Sequence, residues 1–261
     1  MTTQAYSGSG DPRRSLELLW HGQEPGSRGP RRGLSLRRIV TAAVRLADRE
    51  GLAALSMRNV AAELGVGTMS LYRYVPGKGE LLDLMLDYVM HPVDELAEHR
   101  KKGWRAILEV WARNLWRLYV EHPWLLQVNQ ERPIIGPNAL GAFEFSLAGL
   151  DDFGLDGKEK IAIIGAIGNY VTGAARTHVL QQEACRSSGV SDEEFWSIQE
   201  PFLCRAMETG AYPQLAKLPE DSFAIDGEEA FQFGLELLLD GLEKFLKGRR
   251  RRVRQSAVVR R

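Results

Sequence analysis

The chain has 261 residues, 44% of them hydrophobic, so it is long enough to bury a sizeable core in one large domain or in two smaller ones. Two cysteines, Cys185 and Cys204, are too few for a disulfide framework, and no stretch has the roughly 18 apolar residues of a membrane span. Residues 1–20 have no apolar run of the signal-peptide type. We therefore expect a globular, cytoplasmic protein with no membrane partner.

The formal net charge of zero conceals an uneven distribution of charge. Residues 1–80 hold 12 Lys and Arg against 7 Asp and Glu, residues 81–247 hold 15 against 27, and residues 248–261 hold 7 against none. Blocks of opposite charge indicate regions with different roles, and a basic amino-terminal part favours a polyanionic partner.

The two ends of the chain are predicted to be flexible and basic. Residues 1–33 are rich in Gly, Ser, Pro and Arg and have little apolar surface to offset the entropy of ordering, so we predict a flexible arm. Its run 28-RGPRRG-33 is either a solubilising extension or an arm that lies along a DNA groove. Residues 248–261 are predicted to be a disordered tail that adds salt-dependent affinity for nucleic acid.

Three short helices are predicted after the arm. The first, over 35–51, has apolar residues at steps of three and four, and the second, over 56–65, begins at a serine N-cap. The third, over 68–74, is broken by the Pro-Gly that follows. Two short helices joined by a glycine-containing turn and preceded by an amphipathic helix are typical of a helix-turn-helix, which makes the third the recognition helix.

The third helix has few residues suited to a core, since Leu71 and Val75 are its main apolar candidates. Most of its other positions are occupied by residues with hydroxyl groups, aromatic rings or positive charges. In a recognition helix the first residues point at base edges, and nearby cations and hydroxyls bind phosphates. The side chains predicted to be free for a duplex are Thr68, Ser70, Tyr72, Arg73, Tyr74 and Lys78.

The remainder of the chain is helical in pattern and acidic. A fourth helix runs from Lys78 to His91-Pro92, and further helices are predicted over 104–120, 138–153, 158–188, from Asp192 onward, and over 227–247. The segment 158–188 is apolar nearly all round, so we predict that it lies at the centre of a bundle. The fold class is therefore all-α, with a helix-turn-helix domain over 34–90 and a larger helical domain over 91–247.

With these elements in place, 36-LRRIVTAAVRLADREGLAALSMRNVAAELGVGTMSLYRYVPGKGELLDLM-85 resembles the DNA-binding domain of TetR-family transcriptional regulators. A glycine after the first helix, Ser-Met-Arg at the start of the second, Leu-Gly-Val before the third and Leu-Tyr-Arg-Tyr-Val followed by Lys occur together in register. The rest is similar to a tetracycline-repressor-like carboxy-terminal domain of that family, through the looser segments 200-EPFL-203, 210-GAYPQLAKL-218 and 231-FQFGLELLLDGLEKF-245.

The resemblance implies a homodimer that binds a pseudo-palindromic double-stranded DNA operator and releases it when a small molecule enters the larger domain. It implies base contacts from Arg58, Thr68 and Ser70, and phosphate contacts from Tyr72, Tyr74 and Lys78. The position of Arg73 varies in character within the family, and we include Met69 in the predicted DNA-binding surface.

One implication of the resemblance leaves an alternative open. Arg58 either approaches DNA or forms a surface salt bridge with a nearby acid such as Glu63, which would contribute little to stability.

The founding member of the family holds its drug with a magnesium ion, but this chain has no His, Asp and Glu constellation typical of such a site. His178 and Cys185 lie seven residues apart, and two residues do not make a metal site. We predict no metal and no cofactor.

Aromatic residues of the larger domain are predicted either as core or as the lining of an effector pocket. The core is the favoured place for Trp111, and a lone His178 is more typically a satisfied core histidine. The candidates for the pocket are Trp111, Trp116, Phe143, Tyr170 and His178.

Dimerisation is predicted through the helix that begins at Lys158 and the final helix, which would form a four-helix bundle with their symmetry mates. The first of these helices is rich in small residues and the last in leucine and phenylalanine. The predicted interface residues are Gly165, Gly168, Leu235, Leu238 and Leu242.

These features favour a ligand-responsive transcriptional regulator, with repression favoured over activation and a small apolar or aromatic effector. An enzyme with a fused DNA-binding domain is disfavoured, because the chain has no P-loop, dinucleotide-binding glycine pattern, HExxH or spaced cysteine pair. A non-specific architectural DNA-binding protein fits the basic ends but not the acidic, aromatic-rich domain.

Overall fold

The computed structural model describes residues 5–22, 33–90, 102–223 and 225–259, and of residues 152, 220, 221 and 250–259 it describes the backbone only. Within these ranges the chain is almost entirely helical, which confirms the all-α prediction. The helices are α1 (Pro12–His21), α2 (Leu36–Glu50), α3 (Met57–Glu63), α4 (Thr68–Tyr72), α5 (Lys78–Val89), α6 (Trp104–Glu121), α7 (Pro137–Ala148), α8 (Gly157–Ser188), α9 (Asp192–Glu208) and α10 (Gly227–Val259). Two short strands, β1 (Ala5–Tyr6) and β2 (Val128–Asn129), pair in parallel.

Local sequence signals define the helices of the amino-terminal unit, residues 34–90. The Ser35 hydroxyl accepts a hydrogen bond from the Arg38 N–H at the start of α2, and the Ser56 hydroxyl accepts one from the Asn59 N–H at the start of α3. Helix α2 ends at Gly51, whose φ of +79° favours glycine. The N-cap at Ser56 and the glycine stop are therefore where the sequence predicts them, and the structure adds the N-cap at Ser35.

The core of the amino-terminal unit is completed by the carboxy-terminal unit. A 3₁₀ turn, Pro123–Gln127, follows α6, and we call it the junction turn. Its Trp124 and Leu125 are buried in the same hydrophobic cluster as Ile39, Leu71 and Leu81. Burial of two such side chains removes a large apolar area from water, so the two units are packed together through this turn.

A second core lies inside the carboxy-terminal unit, where α6, α8 and α10 pack against one another. Its fully buried residues include Leu108, Ala112, Val171, Ala175 and Phe231. Helix α8 contributes one buried stripe to this core, as a central helix should. Its opposite face, with Ile161, Gly165, Gly173 and Leu180, is exposed in the protomer, so α8 is covered on one side only within a single chain.

The predicted flexible arm over residues 1–33 is wrong for residues 5–22. These residues form β1 and α1, and they pack against α5 and β2. Leu18 and Leu19 of α1 pack against the core, and the buried Ser7 and Ser15 both donate hydrogen bonds to the Asp83 carboxylate, a polar contact that composition does not indicate. Residues 28–32, which carry most of the basic run, lie outside the described part of the chain.

The carboxy-terminal end also differs from the prediction. The backbone of α10 is helical as far as Val259, so the disordered tail predicted over 248–261 is wrong for residues 248–259, and residues 260 and 261 lie outside the described ranges. In the described part of the chain, no helix combines the length and the apolar character that a membrane crossing requires.

Candidate DNA-binding surface and effector pocket

The recognition helix α4 is held by two apolar anchors. Leu71 and Val75 are completely buried in the core of the amino-terminal unit, as the sequence predicts. The turn before α4 includes Gly65 at φ +66°, and the Val66 N–H donates to the Ala61 carbonyl oxygen at 3.0 Å. Because a five-residue helix is unstable alone, its position depends on these anchors and on the preceding turn.

The predicted DNA-contacting side chains lie on the surface around α4. Met69 is 77% exposed, which is unusual for a large apolar side chain in a monomer. Tyr72, Arg73, Arg58 and Lys78 are also exposed, whereas Thr68, Ser70 and Tyr74 are partly buried. A polar surface beside α4 is therefore present, with the rings and cations available to a partner.

The charged residues of this surface are not neutralised by any carboxylate of the described residues. In the part of the chain that the structure describes, Arg58, Arg73 and Lys78 form no ion pair with a carboxylate. Glu63, the acid that could have paired with Arg58, instead binds the Arg49 guanidinium at 2.9 Å. The hydrogen bond from Arg49 lowers the pKa of Glu63. The alternative of an Arg58–Glu63 salt bridge is therefore wrong.

A cavity of about 590 Å³ opens between α8, α9 and the start of α10. Aromatic side chains supply much of its wall, and the Trp196 and Phe223 rings stack with centroids 6.1 Å apart. Its lining residues are Tyr170, Ala174, Thr177, His178, Gln181, Asp192, Phe195, Trp196, Phe223, Ile225, Gly227, Ala230 and Phe231.

Two polar side chains of the cavity wall have different surroundings. The Tyr170 hydroxyl donates to the Phe231 carbonyl oxygen at 2.9 Å, and burial raises the pKa of Tyr170, so this hydroxyl joins α8 to α10. The His178 ring lies 5.3 Å from the Trp116 ring, and its Nε2 atom is 2.9 Å from the Gln182 side-chain nitrogen. His178 therefore presents an imidazole edge beside an aromatic wall.

An acidic group lies at the start of α10, close to His178. The N–H of Glu228 holds the pKa of Asp226 below its usual value, and the N–H of Glu229 and the neighbouring His178 act in the same direction. Gly227 lies directly against the His178 ring, where a β-carbon would collide with it. Helix α9 supplies both a carboxylate, Asp192, and the aromatic rings of Phe195 and Trp196 to the cavity wall.

The structure separates the predicted pocket residues into three groups. Tyr170 and His178 line the cavity. Trp116 lies behind it, buried and stacked on Phe231 with ring centroids 4.4 Å apart. Trp111 and Phe143 do not line the cavity and pack at the edge of the second core.

Sequence reasoning missed the contribution of α9 and of the segment before α10. Phe195, Trp196 and Phe223 line the cavity although all three are at least 46% exposed. Neighbouring aromatic residues in an otherwise acidic helix were the only signal in the sequence. They carried no information about which helix they face.

The predicted dimer residues also separate into groups. Leu235 is 1% exposed inside the second core, so its side chain cannot reach another protomer and its assignment to the interface is wrong. Gly165 is exposed, while Gly168 and Leu242 are partly buried. Leu238 is 37% exposed, and Phe233, Leu237 and Phe245 of the same helix are also exposed.

A chain of contacts runs from the cavity wall to the amino-terminal unit. Arg176, on the same helix as the lining residues Ala174 and His178, donates to the Leu126 carbonyl oxygen in the junction turn at 3.3 Å. The indole N–H of Trp124, in that turn, donates to Asp48 Oδ1 of α2 at 2.7 Å. His122 Nδ1 lies 2.7 Å from the same oxygen.

Among the described residues, no group of three or more His, Cys, Asp or Glu side chains has an arrangement suited to a metal ion. Cys185 donates a hydrogen bond to Asp192 at 3.2 Å, which raises the pKa of that thiol.

Family models match both units of the chain. The model for bacterial regulatory proteins of the tetR family matches residues 39–85, and the model for the tetracyclin repressor-like carboxy-terminal domain matches residues 97–246. The chain is similar to HTH-type transcriptional repressor DrrR1 of Streptomyces coeruleorubidus, with 54% identity over 244 residues that cover 94% of this chain and 90% of that protein.

Solved structures agree with these matches. The TetR family protein ActR of Streptomyces coelicolor in complex with (S)-DNPA has a TM-score of 0.60 and 28% identity, covering 83% of this chain and 99% of that one. The same protein in complex with actinorhodin has a TM-score of 0.55 and 27% identity, covering 81% and 96%.

Proposed function

This chain belongs to the TetR family of transcriptional regulators, and we propose that it is a repressor that binds a pseudo-palindromic operator as a homodimer and releases it when an aromatic effector binds. Regulators of this family bind DNA and are not enzymes, which confirms the corresponding sequence-based expectations. The pseudo-palindromic operator, the homodimer and the aromatic class of the effector are proposals.

The observation that carries the proposal is the contrast between the two faces of α4. Leu71 and Val75 are completely buried, while Tyr72, Arg73 and Lys78 are exposed and the two cations form no ion pair among the described residues. Exposed cations and hydroxyls beside a recognition helix are what phosphate contacts require. Thr68, Ser70 and Met69, at the start of the helix, would then approach base edges.

Binding of two half-sites requires a second copy of the chain. In the protomer the surface of α10 outside the second core exposes Phe233, Leu237, Leu238 and Phe245, and the outer face of α8 exposes small residues such as Gly165. Pairing these faces across a two-fold axis buries them in a four-helix bundle. The two recognition helices then meet successive major grooves about 34–36 Å apart.

The cavity favours a flat, aromatic effector with at least one polar group. Its volume of about 590 Å³ lies within the roughly 300–1,000 Å³ typical of small-molecule pockets. Phe195, Trp196 and Phe223 provide exposed surfaces for ring stacking, while His178 provides a hydrogen-bonding edge. The similarity to ActR, which has been crystallised with (S)-DNPA and with actinorhodin, supports an effector of this general kind.

Release of DNA would follow from a shift between two arrangements of the units. A ligand against Ala174 and His178 acts on α8, and Arg176 of that helix holds the junction turn. Trp124 of the turn is bonded to Asp48 of α2, so movement of α8 changes the position of the amino-terminal unit. The spacing of the two recognition helices then no longer matches the operator.

The test is the binding of the purified protein to the intergenic DNA that flanks its own gene, measured by fluorescence anisotropy against a scrambled duplex over a salt series. We expect a preference of about 10³-fold or more, and loss of that preference on addition of actinorhodin as the aromatic probe. Equal affinity for the two duplexes at every salt concentration contradicts a specific repressor of this promoter. Binding that persists with saturating probe contradicts the proposed effector class.

A further inference from the structure

We propose that residues 5–22 form an amino-terminal clasp that holds the DNA-binding unit against the effector-binding unit and couples the two. The clasp consists of β1, α1 and the turn between them. Its role in coupling rests on the proposed function. Its closed state, in which residues 5–22 are packed against α5 and β2, is a property of the DNA-free protein. It lies outside both matched family models, which cover residues 39–85 and 97–246.

The clasp binds two of the three carboxylates in an acidic stripe on α5, and the third, Asp87, binds α7. Glu80, Asp83 and Asp87 are spaced three and four residues apart, which places them on one face of the helix, and all three are buried. In the described part of the chain, none of the three forms an ion pair with a cation. Buried carboxylates require hydrogen-bond donors, so the residues that supply these donors are the binding partners of the stripe.

Asp83 is satisfied entirely by the clasp. Its Oδ1 atom accepts hydrogen bonds from the Ser7 hydroxyl and from the Gly8 N–H, both at 2.9 Å, and its Oδ2 atom accepts one from the Ser15 hydroxyl at 2.7 Å. The Asp83 side chain is 1% exposed. Hydrogen bonds to a charged acceptor are stronger than neutral ones, and removal of a donor leaves a buried carboxylate under-satisfied.

Close backbone approach strengthens the contact at the start of α5. The Asp11 N–H donates to Glu80 Oε1 at 2.8 Å. A β-carbon on Gly10 would collide with the Glu80 carboxylate, and one on Gly79 would collide with the backbone of Gly10. The close backbone approach therefore requires glycine at residue 79, while a side chain at residue 10 would displace the Glu80 carboxylate.

The other side of the clasp binds the effector-binding unit. Strand β1 pairs with β2, which follows the junction turn. The Ser7 hydroxyl accepts a hydrogen bond from the Ile134 N–H at 3.0 Å while it donates to Asp83, and the Trp20 indole N–H donates to the Ile135 carbonyl oxygen at 3.2 Å. Ser7 thus joins α5 to the segment that leads into α7.

This double attachment has a mechanical consequence. Helix α5 is the last helix of the DNA-binding unit, and rotation of that unit relative to the other must either carry the clasp with it or break the bonds at Ser7 and β1. Coupling between the two units therefore passes through the clasp as well as through the junction turn. Weakening the clasp should reduce the response of one unit to a ligand on the other.

The test compares the full-length double variant Ser7→Ala/Ser15→Ala with the control Ser9→Ala. Ser9 lies in the same segment, but its side chain is exposed. In DNA-free protein, the rate of tryptic cleavage after Arg13 and Arg14 reports opening of α1. We expect cleavage of the double variant to be about tenfold faster or more, because two hydroxyl donors to a buried carboxylate are lost, and we expect the control to match wild type. Equal cleavage rates contradict a clasp held by these serines.

Coupling is measured as the change in hydrogen exchange of α8 when the flanking intergenic duplex binds. We expect this change in wild type and in Ser9→Ala, and a smaller change in the double variant at saturating DNA. If the double variant is cleaved faster but shows the same change in hydrogen exchange of α8 as wild type, the segment contributes to packing and not to coupling, which overturns the proposal. Wild-type protein without a preference for any duplex contradicts the proposed function, whereas the cleavage rates still decide whether the clasp is closed.

Discussion

Asp87 Oδ1 accepts a hydrogen bond from the Ala139 N–H at 2.9 Å, which joins the last helix of the DNA-binding unit to the first turn of α7. The same carboxylate accepts from the Asn138 N–H at 3.1 Å, and Gly136 lies directly against it. A side chain 51 residues away in sequence therefore caps α7, where a serine or aspartate just before the helix would ordinarily do so.

Asp87→Ala should destabilise the protein by about 0.5–2 kcal/mol, the usual cost of losing a capping side chain. The N–H groups of Asn138 and Ala139 lose their acceptor in a partly buried site. Urea denaturation followed by circular dichroism measures the difference. Asp87→Asn keeps one acceptor oxygen and should lose less, so equal losses in the two variants would contradict a capping role.

The stability of the wild type should also depend on pH through Asp87. Burial raises the pKa of Asp87 above its usual value of 3.8, although the N–H groups of Ala139 and Asn138 act in the opposite direction. The native state then holds the proton more tightly than the unfolded chain. The stabilisation from this group is complete below pH 3.8 and is lost as the pH rises through the raised pKa.

The measurement for this prediction is the difference in unfolding free energy between wild type and Asp87→Asn from pH 3.5 to 7. We expect wild type to lose stability relative to the variant as the pH rises, because only wild type titrates at this position. A difference that stays constant, or that moves in favour of wild type, would show that the pKa of Asp87 is not raised.

Lys78→Ala should weaken binding to the operator and to scrambled DNA by a similar factor. Loss of one phosphate contact should also reduce the slope of log affinity against log salt by about one. Lys217→Ala removes an equal charge from an exposed position in the effector-binding unit and serves as the control. Fluorescence anisotropy over a salt series measures both slopes, and an unchanged slope for Lys78→Ala would exclude its phosphate contact.

Ala174→Phe should abolish release of DNA by the aromatic probe and leave DNA binding itself intact. Ala174 lines the cavity, so a phenyl ring there occupies the space proposed for the effector. Ala211→Phe adds the same ring at an exposed position of the effector-binding unit that does not line the cavity, and it should respond like wild type. Anisotropy titrations with actinorhodin distinguish the variants, and normal release from Ala174→Phe would place the effector elsewhere.

Leu238→Asp should dissociate the dimer, whereas Leu235→Ala should mainly destabilise the protomer. Leu238 is partly exposed beside the buried stripe of α10, and a charge there opposes burial against a second copy. Leu235 is buried in the second core, so its truncation should cost about 2–5 kcal/mol of unfolding free energy. Sedimentation velocity and thermal unfolding measure the two effects. A fully dimeric Leu238→Asp would show that this face is not the interface.

Sequence reasoning predicted the DNA-binding unit well because its signals are local. The caps at Ser35 and Ser56 and the glycine at residue 51 act on helices only a few residues away. Leu71 and Val75 were identified as anchors because a helix this short has few apolar residues to choose from. Local propensity and tertiary packing favour the same structure there, so a short window of sequence contains the necessary information.

The pocket and the dimer face were predicted less well because apolar residues do not indicate their partners. Leu235 and Leu238 are three residues apart on α10, and only the packing of α6 and α8 buries one and leaves the other partly exposed. Trp116 and Trp196 are both tryptophans in helices, yet one supports the cavity from behind and the other lines it. Their roles depend on the rotation of each helix about its axis within the bundle.

By itself, the sequence determined the helix-turn-helix, the all-α class and the family of the protein, since these depend on the periodicity and caps of contiguous segments. The tertiary structure alone decided the order of residues 5–22 and the burial of Glu80, Asp83 and Asp87. The hydroxyls of Ser7 and Ser15 have no local partner and are held by Asp83, 76 and 68 residues away in sequence. Buried polar contacts between residues so far apart produce no periodic pattern and no bias in composition. They can be identified only in the folded structure, where donor and acceptor lie together.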